Sequence, residues 1–160
     1  MSKMKVFCFG FGQVAKYFIK KILKEKIALE LNVTSRKNTH NLTFEGLDLN
    51  SFEFNNKKID KNIDTKVQNA DFVLVSIPPV EDEDIVLKNF KEILKKSKPK
   101  WITYLSATSV YGNHDGEWVN EESETKPTST SGIKRLQAEN QWLKFSLDNN
   151  LPLQIFRLSG

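Results

Sequence analysis

Short apolar runs alternate with amphipathic stretches along this chain. Lys5-Val6-Phe7-Cys8-Phe9 is a nearly continuous apolar run ending at Gly10, the pattern of a strand buried on both faces. Val14, Phe18 and Ile22, and beside them Ala15, Ile19 and Leu23, recur at spacing four with lysines opposite, which predicts an amphipathic helix. Residues 29–35 read as a second strand. A weakly patterned, Asn-rich region follows, with a short strand near 42–44 and a loop through Asn55-Asn56-Lys57-Lys58. Residues 70–77 carry the strongest strand pattern, stopped by Pro78-Pro79. Glu81, Asp82, Glu83 and Asp84 then load the first turn of a helix whose inner face is Val86, Phe90, Ile93 and Leu94. Lys95, Lys96 and Lys98 close that helix and Pro99 stops it. Residues 101–105 form another strand and 106–127 a polar loop. The next helix starts near Thr130 or Ser131, with Ile133, Leu136, Asn140, Leu143 and Leu147 as its stripe. Asn149-Asn150 and Pro152 end it, and 153–158 are a last strand. The expected fold class is α/β: a doubly wound parallel sheet of about six strands, helices on both faces, in one domain over 1–160.

Composition narrows the function classes. The 160 residues are 39% hydrophobic and 11% aromatic, which fits a globular domain and excludes a disordered one. The formal charge is only +4, and Lys20, Lys21, Lys24 and Lys26, like Lys95, Lys96, Lys98 and Lys100, sit where helices end. They suit helix dipoles, so no nucleic-acid partner is expected. Cys8 is the single cysteine and reads as a small core residue in a reducing compartment. No apolar stretch nears the roughly 20 residues of a membrane span, and no signal pattern opens the chain. A cytoplasmic protein without a membrane partner is expected.

The turn Gly10-x-Gly12-x-x-Ala15 lies between a strong strand and an amphipathic helix. The first glycine permits a tight turn, the second lets backbone approach a pyrophosphate, and the small third residue lets helix and strand pack closely. The helix N-terminus then presents free N–H groups and a partial positive charge. Gly10, Phe11, Gly12, Gln13 and Val14 are therefore expected to cradle a dinucleotide; the alternative is a glycine turn that only packs. The strand 29–35 ends in Thr34-Ser35-Arg36-Lys37, without the acid that usually bonds the ribose of NAD. Arg36 suits a 2′-phosphate, with Ser35 as a second donor, which favours NADP over NAD. The alternative is that Arg36 and Lys37 are ordinary loop charges. Ser76, Ile77 and Pro78 end the strand 70–77, where a doubly wound sheet binds ligands.

Three stretches resemble the extended and atypical short-chain dehydrogenase/reductases, the NAD-dependent epimerase/dehydratase group. They are the turn at 10–15, Leu105-Ser106-Ala107-Thr108-Ser109-Val110-Tyr111-Gly112, and the segment from Pro127 through Ser131, Arg135 and Glu139. The end, Phe156-Arg157-Leu158-Ser159-Gly160, resembles the family's sixth strand. The resemblance implies a Tyr and a Lys four residues apart on one helix face, and a Ser or Thr at the preceding strand end, for proton transfer beside a nicotinamide.

This chain departs from that pattern. Alignment on Val110-Tyr111-Gly112 puts the Ser/Thr position at Ala107, with Ser106 as its neighbour. Alignment on Pro127 and Glu139 puts the Tyr position at Ser131 and the Lys position at Arg135. Ser131 has no phenol, and Arg135 holds a ribose more readily than it exchanges a proton. Ser106 and Arg135 remain candidates for cofactor contact, and no catalytic residue is intact. Tyr111 belongs to a structural corner in the family; His114 and Asp115 beside it give no metal site. The family's C-terminal substrate lobe is not expected within these residues. Three readings stay open: an NADP-binding oxidoreductase or epimerase relative, a non-catalytic nucleotide-sensing module or remnant, and one half of a split enzyme. The resemblance also implies a homodimer through the helices at about 83–97 and 131–148, where Trp142 and Phe145 lie off the main stripe.

Overall fold

The computed structural model describes residues 3–37 and 42–159. Gly160, the end of the segment compared with the family's sixth strand, lies outside them. The order of elements is β1 (Met4–Phe9), α1 (Gln13–Lys24), β2 (Leu29–Ser35), β3 (Leu42–Phe44), β4 (Leu47–Glu53), α2 (Asn62–Gln68), β5 (Phe72–Val75), α3 (Ile85–Ser97), β6 (Trp101–Ala107), a 3₁₀ turn (Thr108–Val110), α4 (Thr130–Asn149) and β7 (Leu153–Leu158).

The seven strands form one sheet in the order β3-β4-β2-β1-β5-β6-β7. Six run parallel; β3 pairs antiparallel with β4 through the turn at Glu45 and Gly46. From β1 the chain steps outward to β2, then returns to the other side of β1 at β5. That reversal opens a crevice beyond the carboxyl ends of β1 and β5, where this class of sheet takes ligands.

Alternate side chains of each strand feed two cores. Phe7, Phe9, Val73, Val75, Ile102 and Tyr104 meet Ile63 of α2, Phe90 and Leu94 of α3, and Trp142 of α4. Val6, Cys8, Leu31, Val33, Leu74 and Leu105 meet Ala15 and Ile19 of α1. Burial pushes the Cys8 thiol up to about 12, so it is inert as a nucleophile.

The α/β doubly wound class stands. The helix expected to carry Glu81–Asp84 in its first turn starts later: Asp84 is its N-cap, Ile85 its first residue, and no acid occupies its first turn. Three further differences separate the structure from the sequence reading. The sheet has seven strands where about six were expected. The added strand is β4, whose Leu49 faces the α1 core while its Phe52, and Phe54 just after it, face the other. The helix α2, seven residues long, was also unanticipated; only Ile63 and Val67 anchor it. The third difference is the rotation of α4. Ala138, Glu139 and Trp142 are buried, and Phe145 packs against the core. Ile133, Leu143 and Leu147 instead point outward. Trp142 brings the largest apolar surface on the helix, and the Glu139 carboxylate has an inward partner, so together they set the inner face. Among the described residues no helix is long and apolar enough to cross a membrane.

Candidate functional site

The turn after β1 is built on Gly10. Its φ of +85° lies in the left-handed region, and a Cβ there would stand 2.8 Å from Ser76 Oγ and 3.2 Å from Ile77 Cγ1. Only glycine fits both demands. Gly10 N donates to Thr34 Oγ1 at 2.7 Å, which ties the turn to β2. On the other side, Ser76 N donates to Phe9 O at 2.9 Å, which carries the β1–β5 pairing past Val75.

Gly12 caps α1 in an ordinary extended conformation, and a Cβ on it would meet no atom within 4 Å. Its missing side chain therefore leaves open space and bare backbone. The other long helices have side-chain caps: Asp84 accepts from Val86 N and Leu87 N on α3, and Ser129 accepts from Gly132 N on α4. At α1 no side chain caps and no acid occupies the first turn. The first amides and the positive dipole end are left for an external anion.

These groups open into a cleft of about 830 Å³. Gly10, Phe11 and Gly12 form its floor, and Thr34, Ser35 and Arg36 one wall. Ser76, Ile77, Pro78, Val80 and Ile85 form the opposite wall. Phe54, Asn55, Asn56 and Lys57, from the loop after β4, complete it. Two tethers fix the wall at 78–85 to α4. Lys134 Nζ donates to Val80 O, and Gln141 donates to Asp82 O while accepting from Asp84 N.

Eight of the expected binding residues thus meet in one cleft: Gly10, Phe11, Gly12, Ser35, Arg36, Ser76, Ile77 and Pro78. Gln13 and Val14 lie just outside the lining, in the first turn of α1. Ser106 and Arg135 are also outside it. Ser106 is buried on β6 with an Oγ that has no hydrogen-bond partner among the described residues, and Arg135 Nη1 donates to Leu105 O at 3.0 Å. Ala107 is half-buried at the end of β6, and Ser131 is exposed in the first turn of α4. Tyr111 OH accepts from Arg157 Nη1 at 3.0 Å, a structural corner as the resemblance implied. Buried Tyr104 lies nearby in sequence, but burial holds its phenol far above its ordinary range. No group of three or more His, Cys, Asp and Glu among the described residues could hold a metal.

Sequence reasoning missed Thr34, Phe54, Asn55, Asn56, Lys57, Val80 and Ile85 as lining. Thr34 carried a signal, a hydroxyl one residue before the binding pair. The group at 54–57 carried none, because its place depends on the pairing of β4 with β2.

No family model and no curated protein matches the sequence. Solved structures do match the fold. A conserved protein of unknown function from Silicibacter pomeroyi is 27% identical, with a TM-score of 0.76, over 95% of this chain and 52% of that one. UDP-glucuronic acid 4-epimerase from Bacillus cereus, solved in complex with NAD, is 18% identical with a TM-score of 0.77, over 98% and 56%. UDP-N-acetylglucosamine 4-epimerase from Bacillus cereus is 15% identical with a TM-score of 0.71, over 97% and 53%. The chain has the fold of these nucleotide-sugar epimerases over about half their length, as its resemblance to the NAD-dependent epimerase/dehydratase group implies.

Proposed function

We propose that this chain is a nicotinamide-dinucleotide-binding domain of the epimerase/dehydratase type that prefers NADP, and that it does not perform the family's Tyr–Lys proton transfer. The observation that carries the binding reading is the cleft itself. Open backbone at Gly12, an uncapped α1 N-terminus and the cation of Arg36 face one space at the switch point of the sheet. A pyrophosphate fits the helix terminus, and a 2′-phosphate fits Arg36. Among the described residues no acidic side chain lines the cleft, which supports NADP over NAD. The NAD held by the Bacillus cereus epimerase supports a dinucleotide of this class. When bound, that cofactor supplies hydride chemistry; this chain's residues bind and orient it.

The second reading, a non-catalytic nucleotide-sensing module, is favoured by three positions. Ala107 has no hydroxyl, Ser131 no phenol, and Arg135 has a guanidinium bonded to Leu105 O. An assay of NADPH oxidation against aldehydes, ketones and nucleotide sugars separates the readings. Micromolar binding without turnover supports the module; turnover by the purified chain overturns the loss of chemistry.

Association of two copies belongs to the same proposal. Ile133, Leu143 and Leu147 expose an apolar stripe along α4, Leu147 at 80%. This stripe, rather than Trp142 and Phe145, is the face available to a second copy. Leu143→Lys with Leu147→Lys is expected to yield a monomer by light scattering where the parent is a dimer. A monomeric parent removes this part. A cytoplasmic setting remains part of the proposal, supported by the buried free thiol of Cys8.

A further inference from the structure

The loop after β4 is held in a way that the fold alone does not require. Asn55 Nδ2 donates to Arg36 O at 2.9 Å and to Glu53 Oε1 at 3.1 Å. Its Oδ1 accepts from Lys57 N at 2.8 Å and from Lys58 N at 2.9 Å. One carboxamide therefore fixes the backbone of Arg36 at one end and the backbone of Lys57 at the other. The two segments are joined again by Phe54 N donating to Ser35 O at 2.9 Å.

The charges are sorted in the same way. Lys58 is paired with Glu53 at 2.8 Å, and Glu81, 3.5 Å from Asn56 Nδ2 at the same rim, is matched by Lys88 at 3.5 Å. Among the described residues neither Arg36 nor Lys57 has an ion-pair partner, and both line the cleft. Two unmatched cations on separate loops, bridged by one amide, suit a ligand group with more than one negative charge. A phosphomonoester carries about −1.5 to −2 at neutral pH and offers three acceptor oxygens.

We propose that Arg36 and Lys57 form a two-cation clamp for the 2′-phosphate of the dinucleotide, and that Asn55 is the residue that positions its two arms. This rests on the NADP-binding reading above and adds its second cation and its brace. Arg36 supplies planar, paired donors and Lys57 a compact point charge on the other side. A ligand without the phosphate makes neither contact, so the clamp acts on the choice between NADPH and NADH and leaves the shared pyrophosphate site alone.

The test is calorimetric titration of the parent, Arg36→Gln, Lys57→Gln and Asn55→Ala proteins with NADPH, with NADH, and with adenosine 2′,5′-bisphosphate as the isolated headgroup. Losing one charge-assisted contact is expected to weaken NADPH and bisphosphate binding by about tenfold in Lys57→Gln, with NADH unchanged within about twofold. Asn55→Ala is expected to lower the NADPH-to-NADH preference in the same direction while NADH affinity stays within about twofold of the parent, which a purely structural role of Asn55 does not produce. If Arg36→Gln lowers the preference and Lys57→Gln does not, the second cation is wrong and the NADP reading stands. If Lys57→Gln acts and Asn55→Ala leaves the preference intact, the brace is wrong. A parent that binds neither dinucleotide overturns the clamp and the reading beneath it together.

Discussion

Arg157 lays its guanidinium against the carboxylate of Glu139, with Nη2 at 2.8 Å from Oε2 and Nε at 3.2 Å from both oxygens. Glu139 is 1% exposed, and its carboxylate holds Arg157 above even the usual guanidinium range. The same guanidinium lies 4.8 Å from the centre of the Tyr111 ring and donates to its hydroxyl. One contact set thus joins α4, β7 and the turn after β6. It accounts for three residues that carry the family resemblance without assigning any of them to catalysis.

Breaking this pair is expected to be asymmetric. Arg157→Met strands a buried carboxylate, at a cost of about 3–5 kcal/mol. Glu139→Gln keeps an acceptor for the guanidinium and should cost less. Urea unfolding midpoints check the order; equal, small losses would show that the pair contributes little.

Gly10 and Gly12 are expected to separate stability from binding. Gly10→Ala forces a Cβ into Ser76 Oγ and holds a left-handed backbone, which costs about 1–3 kcal/mol. Gly12→Ala meets nothing in the chain and has an ordinary φ, so its melting temperature should stay close to that of the parent. Its methyl group points into the space left for the ligand, so dinucleotide binding should fall. Thermal melts beside ligand titrations decide this, and a Gly12→Ala protein that binds as tightly as the parent contradicts the assignment of the floor.

Asp71 is expected to govern part of the acid limb of stability. Its carboxylate accepts from Lys5 N at 2.9 Å and faces Lys100 Nζ at 3.1 Å, which holds its pKa below the ordinary 3.8. A depressed folded pKa gives stability that is present above 3.8 and is lost as pH falls through the folded value. Asp84 runs the other way, because burial raises its pKa and protonation relieves a buried charge. Asp71→Asn should therefore flatten the loss of stability as the pH falls below 3.8. An unchanged acid limb in urea melts would assign that loss to other carboxylates.

The two-sided apolar runs of β1, β5 and β6 made the centre of the sheet legible, and with it the switch point and the glycine turn. Four parts of the molecule were not legible. In β4 the apolar positions change face between Leu49 and Phe52, so no single alternation runs through it. In α2 two apolar residues are too few to show a period. Apolar spacing along α4 favours Leu143 and Leu147 for the inner face and carries no sign that a paired Glu139 outranks them. The cleft wall at 54–57 follows from the parallel pairing of Asn32–Ser35 with Asn50–Glu53, a long-range contact with no local sequence signal.

The central claim, that the crevice beyond β1 and β5 is a dinucleotide site tuned to NADP, is tested most directly by titrating the purified protein with NADPH and NADH under one buffer. The predicted result is saturable binding of both, with the NADPH dissociation constant about tenfold or more below that of NADH. NADH binding as tight as NADPH, or binding of neither, would contradict it.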